Sequence, residues 1–221
     1  MCCTERMSRP PRMPTSSRSA GASNDKHSQQ RQTNHARAEG HRRVAAVSRT
    51  LGDRGGHFGA PHVVIGLISD THGLLRPEAI TALEGVQRII HAGDIGAGEI
   101  LDRLGRIAPV IAVRGNNDRD RWAASLPEKV VTEIAGARVC VIHDVKELGV
   151  DPAREGFDIV IAGHSHRPRV ERLGPVLFLN PGSAGPRRFT LPISVGRLHL
   201  GLAEPHAEIV ELDVAAARGR R

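Results

Sequence analysis

The sequence predicts an α/β (α+β) domain in which two β-sheets pack face to face with helices outside. Two observations carry this. Residues 63–113 alternate short apolar runs with segments of helical spacing, the signature of parallel β-α-β units with right-handed crossovers. Beyond residue 129 the chain becomes a series of short strands with turns between them and little helical spacing, a second and mostly antiparallel half. Sheets with apolar inner faces bury each other.

The domain opens at Val63-Val64-Ile65-Gly66-Leu67-Ile68, a continuous apolar run of the kind a strand buried on both faces needs. Pro77 to Leu83 has helical spacing, Gln87 to His91 is a short strand, Ala97 to Leu104 is a helix, and Val110 to Val113 is a third strand after Pro109. Lys129 to Ile134 and Arg138 to Ile142 flank a turn at Ala135-Gly136 and read as a hairpin. Strands follow at Ile159 to Ala162, Arg169 to Glu171, Val176 to Leu179, Ser194 to Leu200 and Ala207 to Val214. Residues 152–156 are expected to be helical, with 121–125 a further candidate.

At 221 residues the chain can hold one domain with a sizeable core and an extension. Residues 1–60 carry 11 Lys and Arg against 4 Asp and Glu, which is the whole formal excess of +7. A basic, Ser- and Gln-rich tail with almost no apolar residues through position 43 is expected to be disordered, so the domain is placed at 61–221. The pI near 10.5 therefore describes the tail rather than a nucleic-acid-binding domain. A solvated tail is the preferred reading, because no aromatic interleaves the arginines to stack on bases; a nucleic-acid arm and a transit peptide are the alternatives.

No apolar run approaches the roughly 18 residues of a membrane span, so no membrane partner is expected. Cys2, Cys3 and Cys140 suggest no disulfide framework, and the expected location is cytoplasmic. Cys140, between Val139 and Val141, reads as a small buried hydrophobe.

Four polar clusters stand at the ends of apolar runs: Asp70-Thr71-His72, Gly93-Asp94, Gly115-Asn116-Asn117-Asp118 and Gly163-His164-Ser165-His166. His143 follows a fifth run, Val139 to Ile142. Asp70 and His72 lie two apart, so on an extended strand end they point to one side and could bind one ion with Thr71 turned away; His164 and His166 repeat that spacing. The Asp94 carboxylate has two oxygens and can bridge two cations. The Asn116 carbonyl is a neutral ligand that limits the net charge of the site. Asp70, His72, Asp94, Asn116, His143, His164 and His166 thus offer seven O and N donors for a pair of divalent cations.

The order Asp-x-His, Gly-Asp, Gly-Asn-Asn-Asp, His, Gly-His-Ser-His resembles that of the calcineurin-like metallophosphoesterases, specifically the small single-domain bacterial and archaeal phosphodiesterases. The resemblance extends through Ile90-His91-Ala92-Gly93-Asp94 and Val113-Arg114-Gly115 to Asn180-Pro181-Gly182-Ser183, and covers about 63 to 213. It implies a four-layer fold of two packed mixed sheets flanked by helices. It also implies two divalent metal ions, one held by Asp70, His72, Asp94 and His166 and the other by Asp94, Asn116, His143 and His164. Mn2+ is the first choice, with Ni2+, Fe2+ and Zn2+ compatible with the same donors. The implied activity is hydrolysis of a small phosphodiester by a hydroxide held on cations about 3.5 to 4 Å apart.

Two positions depart from the family pattern. Asn117 stands where many relatives have a His that protonates the leaving group, and an amide cannot do so. Asp144 stands where Gly commonly follows the ligand His; it either orients His143 or faces solvent. Asn117 and Asp118 are the candidate catalytic residues, Asp118 either fixing the Asn116 loop or acting as an acid. His91 reads as a buried supporting group. Arg114, Arg119, Arg187 and Arg188 could meet a phosphate, Arg187 being preferred. His62, His199 and His206 read as solvated. The alternatives to a phosphodiesterase are an interaction scaffold on the same fold and a nuclease aided by the basic arm; self-association stays open.

Overall fold

The computed structural model describes residues 61–201 and 203–214; the predicted extension over residues 1–60 lies outside them. Strands β1 (Val63–Ile68), β2 (Arg88–His91) and β3 (Val110–Ala112) run parallel, linked by helices α1 (Pro77–Ala82) and α2 (Gly98–Gly105). A hairpin, β4 (Lys129–Ile134) and β5 (Ala137–Ile142), opens the second half; β6 (Ile159–Ile161), β7 (Arg169–Leu173), β8 (Val176–Asn180), β9 (Ser194–Leu200) and β10 (His206–Glu211) follow. Two five-stranded sheets result, in the orders β10-β9-β1-β2-β3 and β4-β5-β6-β8-β7.

Period-two alternation divides the side chains between inner and outer faces. Ile65 and Leu67 of β1, Val139 and Val141 of β5, Ile159 and Ile161 of β6, and Leu198 of β9 meet in the core between the sheets. Ile68 and Ile89 face the other way and are covered by Ala79 and Leu83 of the α1 segment and Ile100 and Leu104 of α2. On the outside of the second sheet, Cys140 and Val160 are covered by Leu148 and Phe157. Both faces of the central strands are therefore apolar, as the unbroken runs of the sequence require.

Most strand pairs of the second half are antiparallel, as expected: β4–β5, β7–β8, β9–β10 and β9–β1. The exceptions are β5, β6 and β8, which are parallel neighbours, with β7 inserted between β6 and β8 in sequence. The chain from β5 to β6 crosses over the outer face, as parallel pairing demands, with the 3-10 turn Val145–Glu147 where an α-helix is usual. Residues 152–156 form turns only, because Gly156 adopts a positive φ of 70° and ends the helical course. Residues Arg121–Ser125, the further helical candidate, form a 3-10 helix. No helix among the described residues is long and apolar enough to cross a membrane.

Candidate metal centre

The loops that leave β1 and β2 are zipped together beyond the strands. Asp70 N–H donates to Gly93 O (3.0 Å), His72 N–H to Asp94 O (2.9 Å) and Gly73 N–H to Ile95 O (2.8 Å). The carrier of the donors is not an extended strand end, as the i, i+2 spacing had suggested. Asp70, His72, Asp94, His164 and His166 all have φ between 45° and 64°, in the left-handed region. Each such non-glycine residue costs on the order of 1–3 kcal/mol, and five together mark a constrained site. The effect on direction is the one expected, since Asp70 and His72 share a side while Thr71 turns inward.

Asp70 and Asp94 organise the cluster. Asp70 is fully buried; its Oδ2 accepts from Ser69 Oγ (2.7 Å) and from His164 N–H (3.1 Å). Its Oδ1 has no hydrogen-bond partner and lies 3.2 Å from His166 Nε2 and 4.0 Å from His72 Nε2. The two imidazoles approach each other at 3.4 Å through their Nε2 atoms, and His72 Nε2 is 3.9 Å from Asp94 Oδ2. Burial depresses the His72 pKa, against the opposing pull of Asp94 and Asp70, so the ring is held neutral with a lone pair to give.

The other side centres on Asn116. His143 Nδ1–H donates to Ala92 O (2.7 Å), which leaves Nε2 as the basic nitrogen, 3.2 Å from Asn116 Oδ1 and 3.5 Å from Asp94 Oδ1. His164 Nδ1 lies 3.1 Å from the same Asn116 oxygen. Burial acts against a charged His143, but the Asp94 carboxylate and Ala92 carbonyl outweigh it and raise its pKa to about 8. Burial likewise opposes ionisation of Asp94, yet His143 and the Asn117 N–H hold its carboxyl well below the usual range.

These residues fit metal ions. Asp70 Oδ1 is a buried acceptor with no donor, and Asp94 Oδ1, Asn116 Oδ1 and His143 Nε2, once the imidazole gives up its proton, would offer lone pairs converging on one spot. Acceptors that face one another in a low-dielectric site require a cation between them. Asp70, His72 and His166 form one group able to share an ion, and Asp70, Asp94 and His143 a second. All seven predicted donors are thus brought together, the Asn116 oxygen lying 3.2 Å from His143 Nε2 and 3.1 Å from His164 Nδ1.

The supporting residues include several marked in the sequence, His91 as a buried support and Asp118 as a loop-fixing group among them. Gly93 N–H donates to His91 Nδ1 (3.3 Å), so the His91 Nε2–H faces Thr71 Oγ1 (3.0 Å), and that hydroxyl donates to Ile95 O (2.9 Å). His91 therefore joins the two loops, as a neutral ring whose pKa burial lowers to about 4. Asp118 accepts N–H bonds from Gly96 (2.8 Å), Gly115 (2.9 Å) and Ile95 (3.1 Å). Both oxygens are engaged in fixing the loops, and the acid role offered for Asp118 has no free oxygen to act through. Asn117 holds Asp94 instead of facing it, its N–H on Oδ1 (2.8 Å) and its Nδ2 on Oδ2 (2.6 Å). Asp144 orients neither His143 nor solvent: its Oδ2 lies 3.5 Å from His164 Nε2. Asn180 Nδ2 donates to Gly163 O (2.6 Å) and steadies the histidine loop.

Two glycines are imposed by close approach. A Cβ on Gly163 would sit 1.9 Å from Ser69 Oγ, and one on Gly115 2.2 Å from Asp94 N. A cavity of about 660 Å³ opens beside Asn116 and His143, with Arg114, Arg119 and Lys129 in its wall. Arg114 is paired there with Glu128. Of the other two arginines, Arg187 is engaged with Leu191 O of its own loop, and it is the Arg188 charge that bears on His72.

Comparison with known proteins decides the family. The family model described as calcineurin-like phosphoesterase superfamily domain matches residues 63–201. The chain belongs to the calcineurin-like phosphoesterase superfamily. A probable metallophosphoesterase of Methanothermobacter thermautotrophicus is 36% identical over 168 residues, covering 71% of this chain and 96% of the relative. A solved archaeal phosphodiesterase superposes with a TM-score of 0.56 at 27% identity, over 66% of this chain and 99% of its own. Vacuolar Protein Sorting 29 of Cryptosporidium parvum shares the fold at 22% identity, with a TM-score of 0.55 over 68% and 98% of the two chains. The family is metal-dependent, membership supports phosphoester hydrolase activity, and candidate ligands are in place.

Proposed function

We propose that this chain is a dinuclear metal-dependent phosphodiesterase acting on small phosphodiesters. Asp70, His72, Asp94 and His166 hold one divalent cation, and Asp94, Asn116, His143 and His164 hold the other. The observation that carries the reading is the pair of acceptor groups, around Asp70 Oδ1 and around Asn116 Oδ1, with Asp94 between them. Bound divalent ions supply Lewis acidity toward the phosphoryl oxygens and acidify water.

The chain's own residues do the rest. Asn117 and the Ile95–Gly96–Asp118 web hold Asp94 and its loop in register, so that one carboxylate can serve both ions. The cavity beside Asn116 and His143 leaves room for the second arm of a diester; its wall mixes Arg114, Arg119 and Lys129 with Asp118, Asp120, Glu128 and Glu147. Asn117 has no proton to transfer, which favours esters whose leaving group departs unprotonated. Chelator-stripped protein should be inert toward bis-p-nitrophenyl phosphate and recover with Mn2+ ahead of Ni2+, Fe2+ or Zn2+. Full turnover by the stripped protein would overturn the reading.

A further inference from the structure

Among the described residues, every histidine outside the metal centre lies in one place, at the far end of the first sheet. His199 on β9 stands directly opposite His206 on β10 in the antiparallel register, and opposite Val64 of β1 on its other side. His62 immediately precedes β1. The His62 and His199 rings stack with centroids 5.5 Å apart, and those of His199 and His206 at 4.5 Å with planes 2° apart. Three residues that read as solvated in the sequence thus form one patch.

We propose that this patch is a second, separate metal site, for a divalent transition ion of the zinc, nickel or copper type, ligated by His62, His199 and His206. His62 Nε2 and His199 Nδ1 are 3.3 Å apart. Two nitrogens on a tetrahedral ion with bonds of 2.0–2.1 Å stand roughly 3.3–3.4 Å apart, the separation this pair already has, so the rings need only tilt to turn both lone pairs onto one ion. The other nitrogen of His199, Nε2, lies 3.7 Å from Glu208 Oε1. A carboxylate there favours the Nε2–H tautomer and leaves Nδ1 bare toward His62, the arrangement that carboxylates impose on metal-binding histidines. The His206 ring is exposed and lies stacked on His199, and a rotation off that ring would bring a third imidazole to the ion. Imidazole nitrogens favour borderline transition ions; Mg2+ and Ca2+ demand oxygen.

The site is independent of the catalytic reading. The catalytic donors follow the last residue of β1, whereas His62 precedes the first; eight residues of extended chain separate His62 from Asp70, roughly 26 Å at 3.3 Å per residue. An ion here staples the ends of three strands.

The test is metal content in the untagged full chain, dialysed against micromolar free Zn2+ and compared with His199→Asn and His62→Gln. Each variant should hold one equivalent fewer than the parent and keep its phosphoesterase turnover. Co2+ loading should show the intense visible bands of a tetrahedral ion, weakened in both variants. Unchanged zinc content in both variants overturns the proposal, leaving only an N–H···N bond between the rings. Parallel loss of zinc and turnover also overturns it, by assigning the ion to the catalytic centre. His62 is exposed and outside any strand, so His62→Gln decides alone should His199→Asn fail to fold.

Discussion

The two sides of the catalytic centre are built differently. On one, the Asp70 side chain is fully buried and those of His72 and His166 are only 14% and 13% exposed, the Asp70–His72 loop being zipped to the Asp94 loop by backbone hydrogen bonds. On the other, the His164 side chain is 43% exposed, Asn116 is exposed, and both border open space. Left-handed backbone serves both sides, His164 included; what distinguishes the second is its exposure and its dependence on a few side-chain contacts. One side anchors and the other admits. Asp94 joins them.

The largest expected effect follows from breaking that joint. Asp94→Asn keeps the volume but removes the charge that both ions share. Several kcal/mol of charge stabilisation are involved, so kcat/KM toward a nitrophenyl diester should fall by roughly 10³-fold. His164→Asn, which touches one side alone, should cost less. Equal losses would show that the two sides act as one unit and that the comparison is misplaced.

The anchored side should carry a pH signature through His91. Its folded pKa of about 4 lies below the ordinary 6.5, so the unfolded chain binds more protons between those values. Its stability contribution is complete above about pH 6.5 and is lost as pH falls toward 4, up to about 3 kcal/mol. Burial causes the depression; Asp70, Asp118 and Asp94 work against it, and His143 adds to it. Urea unfolding at pH 7.5 and 4.5 should show a smaller acid loss in His91→Asn than in the parent. Identical losses in the two would place the acid sensitivity elsewhere, His143 being a group that titrates with the opposite sign.

The same division separates what the sequence could disclose from what it could not. The donors were legible because each ends an apolar run, and a buried strand must stop where polar residues begin; Asp70, Asp94 and His143 are found in this way. Their long-range partners were not: Asp118 was readable as a support of its own loop, but its bonds to Ile95 and Gly96, and that of Asp144 to His164, join residues about 20 apart in sequence. Asp144 illustrates the point: adjacency to His143 suggested one partner, while the fold delivers its carboxylate to His164. The parallel pairing of β5, β6 and β8 was missed for a related reason. A crossover without helical spacing looks like a string of hairpin turns, and the hydrogen-bond direction leaves no trace in short apolar runs.

On the open side, Asp144→Asn tests that contact directly. Removing a carboxylate that orients a metal-binding histidine typically costs 10- to 100-fold in metal affinity, and exposure puts this one near the lower figure. Metal titration of the variant should show one weakened equivalent and one unchanged. Weakening of both would mean that the sides communicate through Asp94 more strongly than their separate construction implies.

The smallest effect, and the sharpest for the open side, concerns Asn117. A histidine there would add a proton donor without touching the anchored donors. A nitrophenolate leaves without a proton, whereas an alkoxide needs one in the transition state, so Asn117→His should favour esters with poor leaving groups selectively. A well-placed general acid contributes about 10²-fold or more; without supporting contacts the gain should be nearer 10-fold. The amide it replaces also holds Asp94 through Nδ2, so some loss common to all substrates is expected. The ratio of kcat/KM values for a matched alkyl and nitrophenyl ester cancels that common loss and isolates the proton. If the ratio stays constant with metal content equal in both proteins, position 117 acts only by holding Asp94, and the open side takes no part in protonating the leaving group.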